Sequence, residues 1–104
     1  MAIKLNFEVR QVEADERPLI AAFLEAQWGS VQIVSRGRAH SADELPAYIA
    51  IWDDQLVGLV TYHIDGDHCE IVSLDSLMVR IGVGGALIEA VAQKAAYHEC
   101  KRVW

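Results

Sequence analysis

Cysteine is scarce in this chain. Cys69 and Cys100 are the only two among 104 residues. They have neither a C-x-x-C spacing nor histidines clustered beside them, which argues for two reduced thiols and against a disulfide scaffold or a metal site. Basic side chains are outnumbered: nine Lys and Arg stand against fifteen Asp and Glu, a formal net charge of −6. A general nucleic-acid binder needs a basic footprint, and this chain lacks one. The acidic surplus suits a cationic substrate such as an amine. No apolar run approaches the length of about 20 residues that a membrane-spanning helix needs. Residues 1–12 alternate polar and apolar side chains and carry no apolar signal-peptide centre. These absences point to a cytoplasmic protein without a membrane partner. Repeats, linkers and low-complexity tracts are also missing, so residues 1–104 read as one small domain.

What is present supports a packed core, with 53% hydrophobic and 23% charged residues. Residues 4–12 alternate, with Leu5, Phe7 and Val9 on one face, and predict a half-buried strand. Asp15 can cap the next segment, and Pro18 suits a helix start. Leu19, Ile20, Phe23, Leu24 and Trp28 recur at helical spacing, and Gly29 closes the helix. Residues 31–34 form a short apolar stretch. Residues 35–42 read as a loop carrying Arg36, Arg38 and His40. Ser41 to Glu44 fits a capping box for a short turn. Three strands follow, at residues 47–52, 56–64 and 69–79, with turns at Asp53-Asp54 and Asp65-Gly66. A helix follows from residue 83 to about 99, with Leu87, Ile88, Val91, Ala92 and Ala95 on its apolar face. Residues 101–104 begin another strand. The order predicts a mixed α/β domain rather than a regular chain of βαβ units.

Gly82, Gly84 and Gly85 lie between the third of these strands and the helix. Glycines there permit a sharp turn and a close backbone approach. The first helical turn also offers N–H groups without intrahelical partners, at the positive end of the helix dipole. Together they make an anion cradle, fit for a phosphate or pyrophosphate. A P-loop needs GxxxxGK followed by Ser or Thr, and no such pair follows. A dinucleotide fingerprint needs GxGxxG opening a parallel βαβ unit; here the loop follows an antiparallel meander and the third glycine is misplaced.

The LVGLVTY run of residues 56–62, the EIVSLDSLMV run of residues 70–79, and the GVGGALIEAV run of residues 82–91 together resemble the GNAT superfamily of N-acetyltransferases. They look like that family's third strand, the fourth strand that lines acetyl-CoA, and the Q/R-x-x-G-x-G/A loop with its helix. The CKRVW run of residues 100–104 resembles the entry to its fifth strand. The likeness covers the first two-thirds of the family pattern, and the later strands are missing. The family's Gln or Arg falls at Val79, whereas the arginine here is Arg80. The resemblance implies that acetyl-CoA contacts the backbone of Leu77, Met78 and Val79. It implies that the pyrophosphate sits on Arg80, Ile81, Gly82, Val83, Gly84, Gly85 and Ala86. No metal is implied.

Acetyl transfer from a thioester to an amine needs a polarised carbonyl and a base for the amine proton. By resemblance the base is a carboxylate on the fourth strand. Glu70 is the first candidate and Asp75 the second. A solvated surface place is the ordinary one for either. No tyrosine stands where the family's acid would be; Tyr48 and Tyr62 read as sheet packing. Trp28 and Trp52 read as core anchors. Arg36, Arg38 and His40 form a basic patch, and His63, His68 and His98 lack metal spacing. The expected activity is acetyl-CoA:amine N-acetyltransfer to a small-molecule or peptide amine by direct attack. A non-catalytic, truncated GNAT-like domain serving as a CoA-binding or assembly module is the alternative. A non-CoA nucleotide binder ranks below both. An unfinished sheet edge beside apolar residues also predicts a homodimer.

Overall fold

Alternation in the first described strand carries straight into the sheet. The computed structural model describes residues 7–78 and 81–104. Strand β1, Glu8–Gln11, pairs antiparallel with β4, Ala47–Trp52. Residues 4–6 of the expected strand lie outside the described residues. Between β1 and β4 come helix α1, Arg17–Trp28, and a two-stranded hairpin of β2, Gln32–Ser35, and β3, Arg38–Ser41. Strands β5, Gln55–Asp65, and β6, His68–Ser76, complete an antiparallel meander with β4. Helix α2, Val83–Tyr97, then crosses over to β7, Arg102–Val103, which pairs parallel with β6. The main sheet runs β1-β4-β5-β6-β7. This is the expected mixed α/β architecture.

Both faces of the sheet are covered, which explains the unbroken apolar run in β5. On one face Val83, Leu87, Val91 and Ala95 form the i+4 stripe of α2 and pack on Val60, Tyr62 and Cys69. On the other, Ile20 and Leu24 of α1 and Ile33 of β2 pack on Ala47, Ile49, Leu59 and Val72. Two turns use non-glycine residues with positive φ: Asp53 and Asp54 at 52° and 59°, and Arg36 at 51° before Gly37 at 77°. Aspartate tolerates that region better than most residues do, and paired positive φ values make the tight turns that suit twisted hairpins.

Local details depart from expectation. Residues 35–42 are not a loop. Arg36-Gly37 turns β2 directly into β3, and His40 faces inward at 8% exposure. A 3₁₀ turn, Ala14–Glu16, precedes α1 and is boxed by Glu13 and Glu16 rather than capped by Asp15. Ser41 stands before a second 3₁₀ turn, Ala42–Glu44, without a side-chain cap bond. Its hydroxyl instead accepts a hydrogen bond from Gln32 Nε2 at 2.6 Å. Trp28 is no core anchor. It is 47% exposed, because Gly29 ends α1 with φ 78° and leaves the indole at the helix end.

Candidate functional site

The glycine loop stands at the start of α2. Gly82 is the N-cap, with φ 89° and no capping side chain. The first recorded i+4 bond of the helix runs from the Ala86 N–H to the Gly82 carbonyl at 2.9 Å. The N–H groups of Val83, Gly84 and Gly85 therefore precede any intrahelical carbonyl and point out of the helix start. A β-carbon at Gly84 or Gly85 would meet no heavy atom within 4 Å. Packing among the described residues does not forbid side chains there, in the first turn of the helix at its positive dipole end.

Gly58 is the opposite case. A β-carbon on this β5 residue would lie 2.6 Å from Val83 Cγ1 and 3.0 Å from Leu87 Cδ1. Gly58 thus sets how closely the first turn of α2 approaches the sheet. Val83 is 1% exposed and offers the loop only its backbone. Val79 and Arg80 lie outside the described residues. Leu77 is 51% exposed, but its N–H already donates to the Val57 carbonyl at 2.8 Å. The Met78 carbonyl accepts from the Ser76 hydroxyl at 2.8 Å, and Met78 and Ile81 pack against the α2-side core. Ala86 also lines a groove of about 350 Å³ with Val9, Tyr48, Glu89, Ala90 and Gln93. That groove runs along the flank of α2 toward β1, away from β6, and holds none of the three loop glycines.

Strict alternation would put Glu70 and Asp75 on opposite faces of β6, since five residues separate them. A bulge overturns this. Thr61 pairs with Ser73 and Tyr62 with Ile71, so Val72 is an extra residue. Both carboxylates consequently emerge on the α1 face. Between them the Thr61 and Ser73 hydroxyls share a buried hydrogen bond of 2.5 Å. At a strand rise of about 3.3 Å per residue, the two carboxylate positions are roughly 15 Å apart, too far to serve one proton. Asp75 accepts a 2.7 Å hydrogen bond from Trp28 Nε1. Glu70 is 8% exposed, and its Oε2 lies 4.0 Å from His40 Nε2. The His40 ring also lies 5.4 Å from the ring of His63, which stands opposite Glu70 on β5.

The expected basic patch does not form. His40 turns into the sheet, Arg36 lies 3.9 Å over the Trp104 ring, and Arg38 faces Asp65 at 3.6 Å. His40, read from the sequence as part of a basic patch, instead stands beside Glu70. The Arg36-Gly37 turn signal, read as a hairpin, would have set His40 opposite Ile33 and facing inward. Tyr48 and Tyr62 stack at 5.9 Å as sheet packing, and burial, then Tyr48, pushes the Tyr62 phenol up to about 12. The Cys69 thiol is pushed up to about 11 by burial and then by Cys100, which makes it a poor nucleophile near neutrality. Both cysteines are free. Among the described residues, no group of three His, Cys, Asp or Glu side chains has the arrangement of a metal site, and no helix is long and apolar enough to cross a membrane.

The model of the acetyltransferase (GNAT) family matches residues 7–104. The chain is 39% identical over 88 residues to the uncharacterized protein YxbD of Bacillus subtilis (strain 168), covering 84% of this chain and 55% of that protein. It therefore spans about half the length of that relative. The fold superimposes on ribosomal-protein-alanine N-acetyltransferase from Brucella melitensis biovar Abortus 2308 with a TM-score of 0.73, at 18% identity, over 93% of this chain and 77% of that one. It also superimposes on aminoglycoside N-acetyltransferase AAC(6')-Iy, solved in complex with CoA, with a TM-score of 0.71 at 17% identity, over 99% and 78% of the two chains. A glycine-opened helix beside a bulged meander strand, with a family match over nearly all of the chain, places this protein in the GNAT acetyltransferase family.

Proposed function

We propose that this protein transfers the acetyl group of acetyl-CoA to the primary amine of a small molecule or peptide, in the cytoplasm. The observation that carries the reading is the first turn of α2: three N–H groups without intrahelical partners behind the Gly82 N-cap, with room for a side chain at both Gly84 and Gly85. Those donors fit a pyrophosphate. By resemblance to the family, the arm of the coenzyme would contact the backbone of Leu77, Met78 and Val79, and its pyrophosphate Arg80, Ile81 and the glycine loop. The CoA bound by AAC(6')-Iy supports the same ligand here.

The chemistry follows from the acetyl group and the α1 face. The amine nitrogen forms a bond to the thioester carbon, the C–S bond breaks, and CoA leaves as a thiolate that takes a proton from solvent. Glu70 receives the proton lost by the amine. Asp75 and the exposed face of Trp28, roughly 15 Å along β6 from Glu70, hold a second cationic group of the acceptor: the carboxylate attracts it, and the indole supplies a flat apolar surface with cation–π capacity. Attack is direct, since the neutral Cys69 thiol is buried on the other face. We also place the chain in a homodimer, supported by the exposed Ile88, Val103 and Trp104. Sedimentation equilibrium reads this directly: a folded 11.5 kDa monomer at micromolar concentration would remove the dimer.

Calorimetry with acetyl-CoA tests the site. The parent binds, and Gly84→Asp, which sets a negative charge in the cradle, does not. Equal binding by the two removes the loop from the site. Release of free thiol with a panel of primary amines tests the reaction. Binding without turnover would leave a non-catalytic CoA-binding module.

A further inference from the structure

His40 and Glu70 are both more than nine-tenths buried, and each ends in an unpartnered atom facing the other. His40 Nε2 and Glu70 Oε2 have no hydrogen-bond partner among the described residues and stand 4.0 Å apart. Buried polar atoms are rarely left this way, because each unmade bond costs free energy. The separation is too long for a hydrogen bond, and a side-chain shift of about 1 Å would bring it into range. A carboxylate and an imidazole in that position can hold one proton between them. The pair is also not sealed. His63, half-buried on β5, packs its ring 5.4 Å from the His40 ring and sits in register with Glu70.

The geometry points to His40 as the positioning residue of the proposed base: it shares a proton with Glu70, and His63 connects the pair to solvent. The inference rests on the reading of Glu70 as the proton acceptor. In each turnover the amine proton passes to Glu70 and on to His40 Nε2, and from the imidazolium it leaves to solvent past His63. Glu70 thereby returns to its acceptor form, and no oxidant or second reactant is needed. Of the other charged groups on the neighbouring elements, Asp43 also keeps a buried Oδ1 without a hydrogen-bond partner among the described residues. Arg38, two residues before His40, faces Asp65 at 3.6 Å. The 3₁₀ turn after β3 carries Asp43 and Glu44, and Arg17 donates from its guanidinium to the backbone carbonyls of Asp43 and Leu45. Thr61 on β5 and Ser73 on β6, the next polar groups along this face, are spent on each other.

Three variants and two readouts test this. Glu70→Gln keeps the shape of the acceptor and removes its basicity; kcat falls by roughly 10² or more, in the range of general-base catalysis. His40→Gln lowers kcat by roughly tenfold, flattens the acid limb of the kcat–pH profile, and leaves the KM for acetyl-CoA unchanged. The double variant loses no more than Glu70→Gln alone, because the two act as one unit. His63→Gln gives the smallest loss. A His40→Gln profile that overlays the parent, or a loss that multiplies with that of Glu70→Gln, overturns the inference. The second readout needs no substrate. The ring signals of His40, followed by NMR at one fixed pH, move in Glu70→Gln relative to the parent. Unchanged signals overturn the shared proton. If no amine is acetylated but the signals move, the coupling stands and the assignment of the reaction fails.

Discussion

The two faces of the sheet are built from different materials. The α2 face is apolar, and the proposed cradle beside it is made of backbone and missing side chains: Gly58 below, Gly82, Gly84 and Gly85 above. The α1 face buries His40, Glu70, Thr61 and Ser73 and presents Asp75 with Trp28. An anion cradle needs only N–H groups and room, so it tolerates any sequence that keeps the glycines. Acid–base chemistry needs particular side chains at particular distances, so it depends on how distant segments meet. The backbone feature and the cluster of buried polar side chains are therefore separated by one layer of β-sheet.

Substitutions on each face sharpen that contrast. The largest effect is expected at Gly58. Gly58→Val forces Val83 and Leu87 off the sheet, costs about 1–3 kcal/mol as overpacking, and lifts the first turn of α2 out of place. Chemical denaturation reads the first effect and acetyl-CoA calorimetry the second; undiminished coenzyme binding would show that the cradle does not depend on this contact. Next is the hydroxyl pair between the two carboxylates. Thr61→Val leaves the buried Ser73 hydroxyl without its partner, at about 1–2 kcal/mol. Adding Ser73→Ala should recover part of that loss, and an additive double variant would mean that the pair contributes nothing as a pair.

Trp28→Ala acts on the other function of the α1 face. It removes the indole and frees Asp75, and should raise the KM for the acceptor roughly five- to tenfold while acetyl-CoA binding stays as in the parent, as expected for a partly exposed cation–π contact. A change in coenzyme affinity instead would move Trp28 to the wrong substrate. The smallest effect lies away from both faces. Arg10 donates two hydrogen bonds to Glu16, at 2.7 and 2.6 Å, and with the Glu13 N–H holds its carboxyl at about 2 against an ordinary 4.5. Since the folded value is the lower one, the stabilisation is full above pH 4.5 and is lost as pH falls toward 2. Melting curves of the parent and Glu16→Gln should differ above pH 4.5 and converge toward pH 2; a constant difference would break the assignment.

Much of the fold was legible because its signals are local. The stripe Val83, Leu87, Val91 and Ala95, the alternation of β1 and the turns at Asp53-Asp54 and Asp65-Gly66 each depend on a few neighbouring residues. The hairpin at Arg36-Gly37 was missed because arginine is an uncommon residue at positive φ, and its turn resembles a polar loop. Trp28 was misplaced because helical spacing says which residues share a face but not where the underlying core ends.

The sequence by itself determined the order of elements, the family likeness and the glycine-opened start of α2, because an unpartnered helix start behind a flexible turn needs no distant partner. The tertiary structure alone decided which side chains meet. The Val72 bulge shifts the parity of β6 and brings Asp75 to the face of Glu70. The hairpin then sets His40 over Glu70, and the end of α1 sets Trp28 over Asp75. One extra residue in a strand reverses the direction of every side chain beyond it, and alternation in a single sequence does not reveal where that residue lies.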